Sequence, residues 1–282
     1  MRKVVIAGGG YIGMPLAIQF AQQGCSVTVI KSRMEPSPHP LINIISVDIN
    51  KLTSKLLPKQ IDCAYYLIAA KNYTKSGYKH AYLDGLSHFN SVITPLLTGP
   101  VFFTSSTSVY AQSDGSWVDE NSPTTPTHFS GTIMLEAEQR FLQYGALRSC
   151  IRLSGIYGPN RCRIIQAAQQ GGAVHHGYTN RIHQVDAVRA LMHLHTQSEL
   201  APYYIVSDDA PEQYSTIYQY TQKLLGIPAA SVSTTFSPSR GGNKRLLNTR
   251  LKKTGFTFTY PSYQEGIRAL IQPTAPPDQQ PL

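Results

Sequence analysis

Three glycines at a fixed spacing, Gly8-x-Gly10-x-x-Gly13, carry the strongest chemical signal in the chain. They follow an apolar run, Val4-Val5-Ile6-Ala7, and precede an apolar-periodic segment with Pro15 near its start and Gly24 past its end. A strand that enters a glycine turn and leaves as a helix offers unpaired backbone N–H groups and the positive end of the helix dipole to an anion. For a dinucleotide, one glycine makes the tight turn, one lets backbone approach the pyrophosphate, and one lets helix pack against strand. Tyr11 and Ile12 lie within that turn. Pro15 suits a first helical turn and Gly24 a C-terminal cap, and a second strand-like run at 26–30 completes the βαβ order.

The residues after that second strand bear on which dinucleotide is held. In NAD sites an acidic residue there accepts hydrogen bonds from the adenine ribose. Here the place is taken by Lys31-Ser32-Arg33. A carboxylate would repel a 2′-phosphate, whereas two cations and a hydroxyl bind it, so NADP is expected in preference to NAD. No metal is expected: His193 and His195 are two apart on a helical segment and face different directions, and His175-His176 are adjacent. Cys25, Cys63, Cys150 and Cys162 are widely spaced, which predicts free, mostly buried thiols and argues against zinc or a disulfide framework.

The elements that must position these residues follow from the apolar pattern. Strand-like runs at 3–7, 26–30, 42–48, 63–69, 101–105, 149–153 and 203–207 alternate with helix-like segments. The helical segments fall at 14–23, 78–97, 133–144, 163–170, 186–196 and 214–225. That alternation predicts an α/β fold with a doubly wound parallel sheet. The expected core spans 1–158 and is completed by 181–208. A smaller C-terminal substrate lobe takes 159–180 and 209–272, and the proline-rich tail 273–282 is expected to be disordered.

The chain has 282 residues, 41% of them hydrophobic, enough for a full core. A strand close to Met1 leaves no room for a targeting peptide, and no apolar run nears the ~20 residues a bilayer needs, so the cytoplasm is the expected compartment with no membrane partner. The net charge of +9 favours anionic partners. Its cations are scattered, with the densest zone at Arg240, Lys244, Arg245, Arg250, Lys252 and Lys253, which suggests a solvated loop-helix face and no nucleic-acid binding.

Further motifs make the pattern specific. Asp48 follows the third strand, Ala69-Ala70 the fourth, and Thr104-Ser105-Ser106-Thr107-Ser108-Val109-Tyr110 the fifth; later come Arg152-Leu153-Ser154-Gly155-Ile156-Tyr157-Gly158-Pro159 and Arg181-Ile182-His183-Gln184-Val185-Asp186. Over nearly its whole length the chain resembles the extended, NAD-dependent epimerase/dehydratase branch of the short-chain dehydrogenase/reductases, whose core is a Rossmann sheet. The family's first glycine falls on Ala7. The resemblance implies that Gly8, Gly10, Tyr11, Ile12, Gly13, Asp48, Ala69 and Ala70 line the cofactor, with Asp48 at the adenine edge, and that Ser106 hydrogen-bonds a substrate oxygen.

The resemblance also exposes a loss. The family carries a tyrosine four residues before a lysine in a pattern like Tyr-x-x-x-Lys-x-x-x-Glu. Counting back from Glu138 places the lysine at Met134 and the tyrosine at Ser130. A phenol of pKa about 10 must fall by about three units, ~4 kcal/mol, to act as a base near neutrality, and a neighbouring cation helps lower it. Met134 offers no charge, and Ser130 is the poorer proton carrier. The chain therefore resembles the atypical subgroup of the family. Tyr110, Tyr157, Tyr73 and His183 lie on loops where the resemblance places the cleft, and Tyr110, Tyr157 and His183 join Ser106 as candidates for catalysis.

Three functions remain open. The chain is an oxidoreductase or epimerase acting on a sugar or nucleotide-sugar-like small molecule, phosphorylated sugars among them, through a replacement proton donor. Alternatively it is a non-catalytic NADP(H)-binding sensor or regulator, or a lyase or isomerase that uses the dinucleotide structurally. Arg161, Arg181 and Lys244-Arg245 are candidates to contact a diphosphate, and the chain is expected as a monomer or homodimer.

Overall fold

The structure is a computed structural model, and it describes residues 1–145, 147–171, 174, 176–228 and 242–272. The tail 273–282, Arg240 and His175 lie outside the described residues. In chain order the first elements are β1 (Lys3–Ala7), α1 (Gly13–Gln22), β2 (Ser26–Lys31), β3 (Ile42–Ser46), β4 (Cys63–Tyr66), α2 (Lys75–Lys79) and α3 (Leu86–Ile93). Then come β5 (Val101–Ser106), β6 (Trp117–Val118), α4 (Phe129–Leu142), β7 (Arg148–Leu153), β8 (Gly155–Tyr157), α5 (Arg163–Gln170), β9 (Tyr178–Thr179) and β10 (Arg181–His183). The last are α6 (Gln184–Leu194), β11 (Tyr203–Val206), β12 (Glu212–Gln213), α7 (Tyr214–Leu225), β13 (Arg245–Leu246), α8 (Thr249–Lys253) and α9 (Tyr263–Ile271).

Seven strands form one sheet in the order β11-β7-β5-β4-β1-β2-β3. The β1-β2, β2-β3, β1-β4, β4-β5 and β5-β7 pairs are parallel. Strands β4 and β7 are buried at every position, as central strands of a parallel sheet covered on both faces are; β7 is so although it carries Arg148 and Arg152, which are hydrogen-bonded to Asn90 and Glu138. At the edge, β3 alternates between buried and exposed residues. Ala7, the last residue of β1, pairs with Ile30 on one side and Tyr66 on the other. The chain reverses its direction of winding between β1 and β4, which opens the crevice where α/β sheets hold ligands.

The expected helix 78–97 is interrupted. Between α2 and α3 the chain takes a π-helical turn over His80–Gly85. The buried phenol of Tyr66 donates a 2.5 Å hydrogen bond to the Ala81 carbonyl, and a Cβ on Gly85 would meet the Tyr66 oxygen at 2.7 Å. A side chain that takes a carbonyl from the helical ladder widens the turn around it.

The chain folds into two compact units, the first comprising Met1–Ala111, Ser122–Leu153 and Ala187–Ile205, the second 112–121, 154–186 and 206 onward. These boundaries differ from the expected ones for a topological reason. β6 pairs with β13, and β8 with β10, so 112–121, 154–158 and 181–186 belong with the second unit. The core of that unit joins α5, α7 and α9 through Tyr157, Ile164, Ile217, Tyr218, Tyr263 and Ile267. A capping box of Ser262 and Glu265 starts α9, a helix that periodicity alone does not reveal.

Candidate functional site

The glycine turn sits at the C-terminal end of β1. Gly8 has φ +106°, and a Cβ there would come within 2.7 Å of the Leu67 backbone, so the turn admits only glycine. A Cβ on Gly13 would overlap the Gly8 carbonyl oxygen, which is how α1 comes so close to the turn. Gly10 differs: nothing lies within 4 Å of where its Cβ would stand. The helix behind it has no side-chain cap at Ile12; the Met14 N–H is taken by the Gly10 carbonyl at 3.1 Å and Pro15 carries none, so an anion here meets the N–H groups of the turn and Gly13 and the positive end of the helix dipole. Gly24, φ +79°, closes the far end of α1 with its N–H on the Ala21 carbonyl. Tight turn, open cradle and close helix are the three parts a pyrophosphate requires, and the residues present fit a dinucleotide.

Around the turn, Lys31 ends β2 and forms an ion pair with Glu35, while Ser32 and Arg33 are exposed. Glu35 is an acid that spacing did not single out, and it offsets part of the positive set. Asp48 is exposed; a 3.0 Å hydrogen bond from the Asn50 backbone is the main cause that holds its carboxyl below the usual range. After β4, the backbone of Leu67 and Ile68 faces Gly8. The N–H of Ala70 donates to the Tyr82 phenol at 3.3 Å.

On β5 and the loop after it, neighbouring serines have different tasks. Ser106 Oγ accepts from the Ser108 N–H at 3.1 Å and starts a short 3-10 turn. Ser105 Oγ points the other way and donates to Glu138 at 2.6 Å. Glu138 is buried and grips Arg152 with both oxygens, at 3.0 and 2.7 Å, while Arg152 donates to the Tyr110 phenol oxygen at 2.6 Å. Burial alone would weaken the charge on Arg152, but Glu138 and Tyr110 outweigh it and the guanidinium is held more firmly protonated. Tyr110 is thus enclosed at 3% exposure, its oxygen tied to a structural cation. A Cβ on Gly131 would overlap the Ser108 carbonyl, so the start of α4 lies hard against this same loop. Both Ser130 and Met134 are buried on α4. Ser130 Oγ lies 3.2 Å from the phenol oxygen of Tyr73, in the loop that follows β4.

Within the second unit, Tyr157 and His183 meet edge to face with ring centroids 5.2 Å apart. Burial, reinforced by Asp208, pushes the Tyr157 phenol far up. The His183 imidazole is pressed down to about 4 by burial, against the pull of Asp186. Val185 donates its N–H to Nδ1 of His183 at 3.3 Å, a geometry that leaves the proton on Nε2. Tyr260 covers the imidazole at 4.0 Å. Asp186 accepts two 2.7 Å bonds from the Thr259 and Tyr260 backbone and fixes that cover. In this enclosure a neutral His183 is a poor acid and a strongly protonated Tyr157 a poor base. Ser106 and Tyr110 are brought together in one unit, and Tyr157 and His183 in the other.

The basic zone is divided: Lys252 and Lys253 are exposed, as its composition suggests, while other cations of the zone are held by the fold. Lys244 is buried, and burial lowers its ammonium to about 8. Arg245 stacks on Trp117 and Tyr178, Arg250 pairs with Glu120 at 3.8 Å, and Lys252 pairs with Asp209 at 3.1 Å. Lys244 and Arg245 are absorbed where β13 runs beside β6, a pairing that no local pattern announces. Cys25, Cys63 and Cys150 are free and buried, and burial pushes the Cys63 thiol up to about 12. Among the described residues no helix is long and apolar enough to cross a membrane.

A parallel sheet with a glycine turn at its switch point defines a Rossmann-type α/β protein of the dinucleotide-binding kind. The pyridine nucleotide-disulphide oxidoreductase family profile matches residues 3–45, which covers the turn and its flanking strands and no more. Protein YeeZ of Escherichia coli strain K12 is 26% identical over 273 residues, 93% of this chain and 97% of its own. A solved structure from Methylobacillus flagellatus, assigned to the NAD-dependent epimerase/dehydratases, is 30% identical with a TM-score of 0.81, covering 96% of this chain and 97% of that one. The dTDP-glucose 4,6-dehydratase of Bacillus anthracis, in complex with NAD, shares the fold at 14% identity, with a TM-score of 0.80 and 96% of each chain covered. The chain belongs to the NAD-dependent epimerase/dehydratase family.

Proposed function

We propose that the protein is an NAD(P)-dependent oxidoreductase or epimerase, of the atypical short-chain subgroup, acting on a sugar or nucleotide-sugar-like substrate in the cytoplasm. The observation that carries this reading is the Gly8–Gly10–Gly13 turn, with its open cradle at Gly10, in a chain of this family. A bound nicotinamide supplies hydride exchange at a substrate carbon. The chain's own residues hold the pyrophosphate at the start of α1, meet the adenine edge with Asp48 and the 2′-phosphate with Ser32 and Arg33, and bind a substrate oxygen with Ser106. Ser32 and Arg33 favour NADP; the Lys31–Glu35 pair leaves Arg33 as the main cation for that phosphate.

A second reading is favoured by one observation, the serine and methionine at positions 130 and 134. Under it the protein binds NADP(H) without turnover and signals the bound state through two conformations of different affinity. Titration with NADP⁺, NADPH, NAD⁺ and NADH, followed by nicotinamide absorbance in the presence of a panel of sugar nucleotides, separates the two. Micromolar NADPH binding with decay of the band on one substrate supports the enzyme. Tight binding with a constant band supports the sensor, and failure of every dinucleotide to bind removes both.

A further inference from the structure

The enzymatic reading leaves open which group handles the proton. Resting on that reading, we propose that Ser130 and Tyr73 form a two-hydroxyl proton relay, with Tyr73 supplying from the loop after β4 the phenol that α4 lacks. Their oxygens are 3.2 Å apart. Ser130 is 7% exposed and Tyr73 47% exposed, so the pair links a buried hydroxyl to solvent.

Local structure holds the phenol in place from two sides. Thr74 caps α2 by accepting from the Gly77 N–H at 3.1 Å, and Tyr73, just before the cap, packs edge-on against Tyr78 at 5.5 Å as a hydrophobic staple. Phe129, the first residue of α4, meets the Tyr73 ring at 5.0 Å. This packing requires a ring and makes no use of a hydroxyl. The hydroxyl nevertheless points to Ser130, whose neighbour Gly131 lies against Ser108, two residues past Ser106 at the end of β5. The buried end of the relay and the proposed substrate-binding serine therefore belong to one contiguous part of the first unit.

The step is a proton hop through groups that both donate and accept. As a substrate hydroxyl gives its proton to Ser130 Oγ, the serine proton passes to Tyr73 Oη and the phenolic proton to water. Each O–H bond broken is matched by one formed, and neither side chain is oxidised or reduced. The reverse sequence delivers a proton to a substrate oxygen. Tyr73 thus acts through Ser130 as a relay and positioning residue.

Tyr73→Phe keeps both ring contacts and removes one oxygen. The expected result is an unchanged melting temperature and dinucleotide affinity, with kcat lowered about 100-fold or more. Ser130→Ala gives a similar loss, and the double variant loses little beyond either single one, because the two act as one unit. Incorporating 3-fluorotyrosine at position 73 lowers the phenol pKa; it shifts the pH–rate limb toward acid, and its fluorine resonance moves on addition of NADP⁺. Wild-type turnover retained by Tyr73→Phe, or a resonance and pH profile indifferent to these changes, overturns the relay and leaves the enzyme standing. A wild-type protein that binds NADPH but turns over no sugar nucleotide overturns the enzymatic reading and the relay with it.

Discussion

Two buried groups show how titratable side chains take different tasks from their surroundings. Glu138 is a fully buried acid, and Arg152 and Ser105 together satisfy both its oxygens. Removing one partner of such a pair strands the other's charge. Glu138→Gln is expected to lower the unfolding free energy by about 3 kcal/mol in chemical denaturation, and a loss below about 1 kcal/mol would show that Arg152 finds water or another acceptor. His183 presents the opposite case, a group kept neutral. Its folded pKa of about 4 lies below the roughly 6.5 of an unfolded chain. Above the unfolded value both states are neutral and the group has no effect. As pH falls from about 6.5 to about 4 the unfolded chain gains a proton the native one refuses, so stability declines, by up to about 3 kcal/mol. His183→Phe, which keeps a ring between Tyr157 and Tyr260, is expected to lose less stability than wild type over that window. Parallel curves for the two proteins would mean that His183 titrates normally.

At the scale of elements, Gly10 and Gly13 separate folding from binding. Gly13→Ala drives a methyl group into the Gly8 carbonyl, forcing α1 away from the turn, and is expected to cost about 1–3 kcal/mol of stability together with dinucleotide affinity. Gly10→Ala meets no protein atom and is expected to change stability by about 0.5 kcal/mol or less, yet to weaken dinucleotide binding at least about tenfold because its methyl fills the cradle. Equal affinity in Gly10→Ala and wild type would place the ligand elsewhere. These elements were legible because their signals are local: β1, the turn and α1 are contiguous, and buried parallel strands read as apolar runs. β4 ends at Tyr66, short of the expected 69, because the backbone of Leu67 and Ile68 passes under Gly8. Strands β6, β9, β10, β12 and β13 have two or three residues, too few for any period to register. The absorption of Lys244 and Arg245 was therefore hidden. The approach of Tyr73 to Ser130 spans 57 positions of sequence; composition marks both residues as polar and gives no sign that they meet. α9 did carry a signal, Ser262-x-x-Glu265, which a search for capping boxes finds before any apolar period does.

For the whole molecule the governing quantity is charge. The chain carries a formal +9, while several of its cations are committed to internal partners: Arg152 to Glu138, Lys31 to Glu35, Lys252 to Asp209. Pairing cancels local fields but leaves the total intact, and the total is what an incoming anion feels beyond a few ångströms. A dinucleotide phosphate, or a sugar nucleotide with its diphosphate, should therefore be drawn in at a rate that depends on salt. The Debye length falls from more than 10 Å below 0.1 M salt to about 8 Å at 0.15 M. Stopped-flow association of NADPH is expected to slow about tenfold between roughly 20 and 200 mM salt, with a smaller change in the dissociation rate. NADH, which lacks the 2′-phosphate, should show a shallower slope, and Arg33→Ala should bring the NADPH slope toward it. If both cofactors respond equally to salt in wild type, the 2′-phosphate does not contact the Ser32–Arg33 edge, and the preference for NADP loses its physical basis. If neither responds, the positive excess lies away from the approach to the turn, and affinity must come from the backbone of the glycine turn and the start of α1.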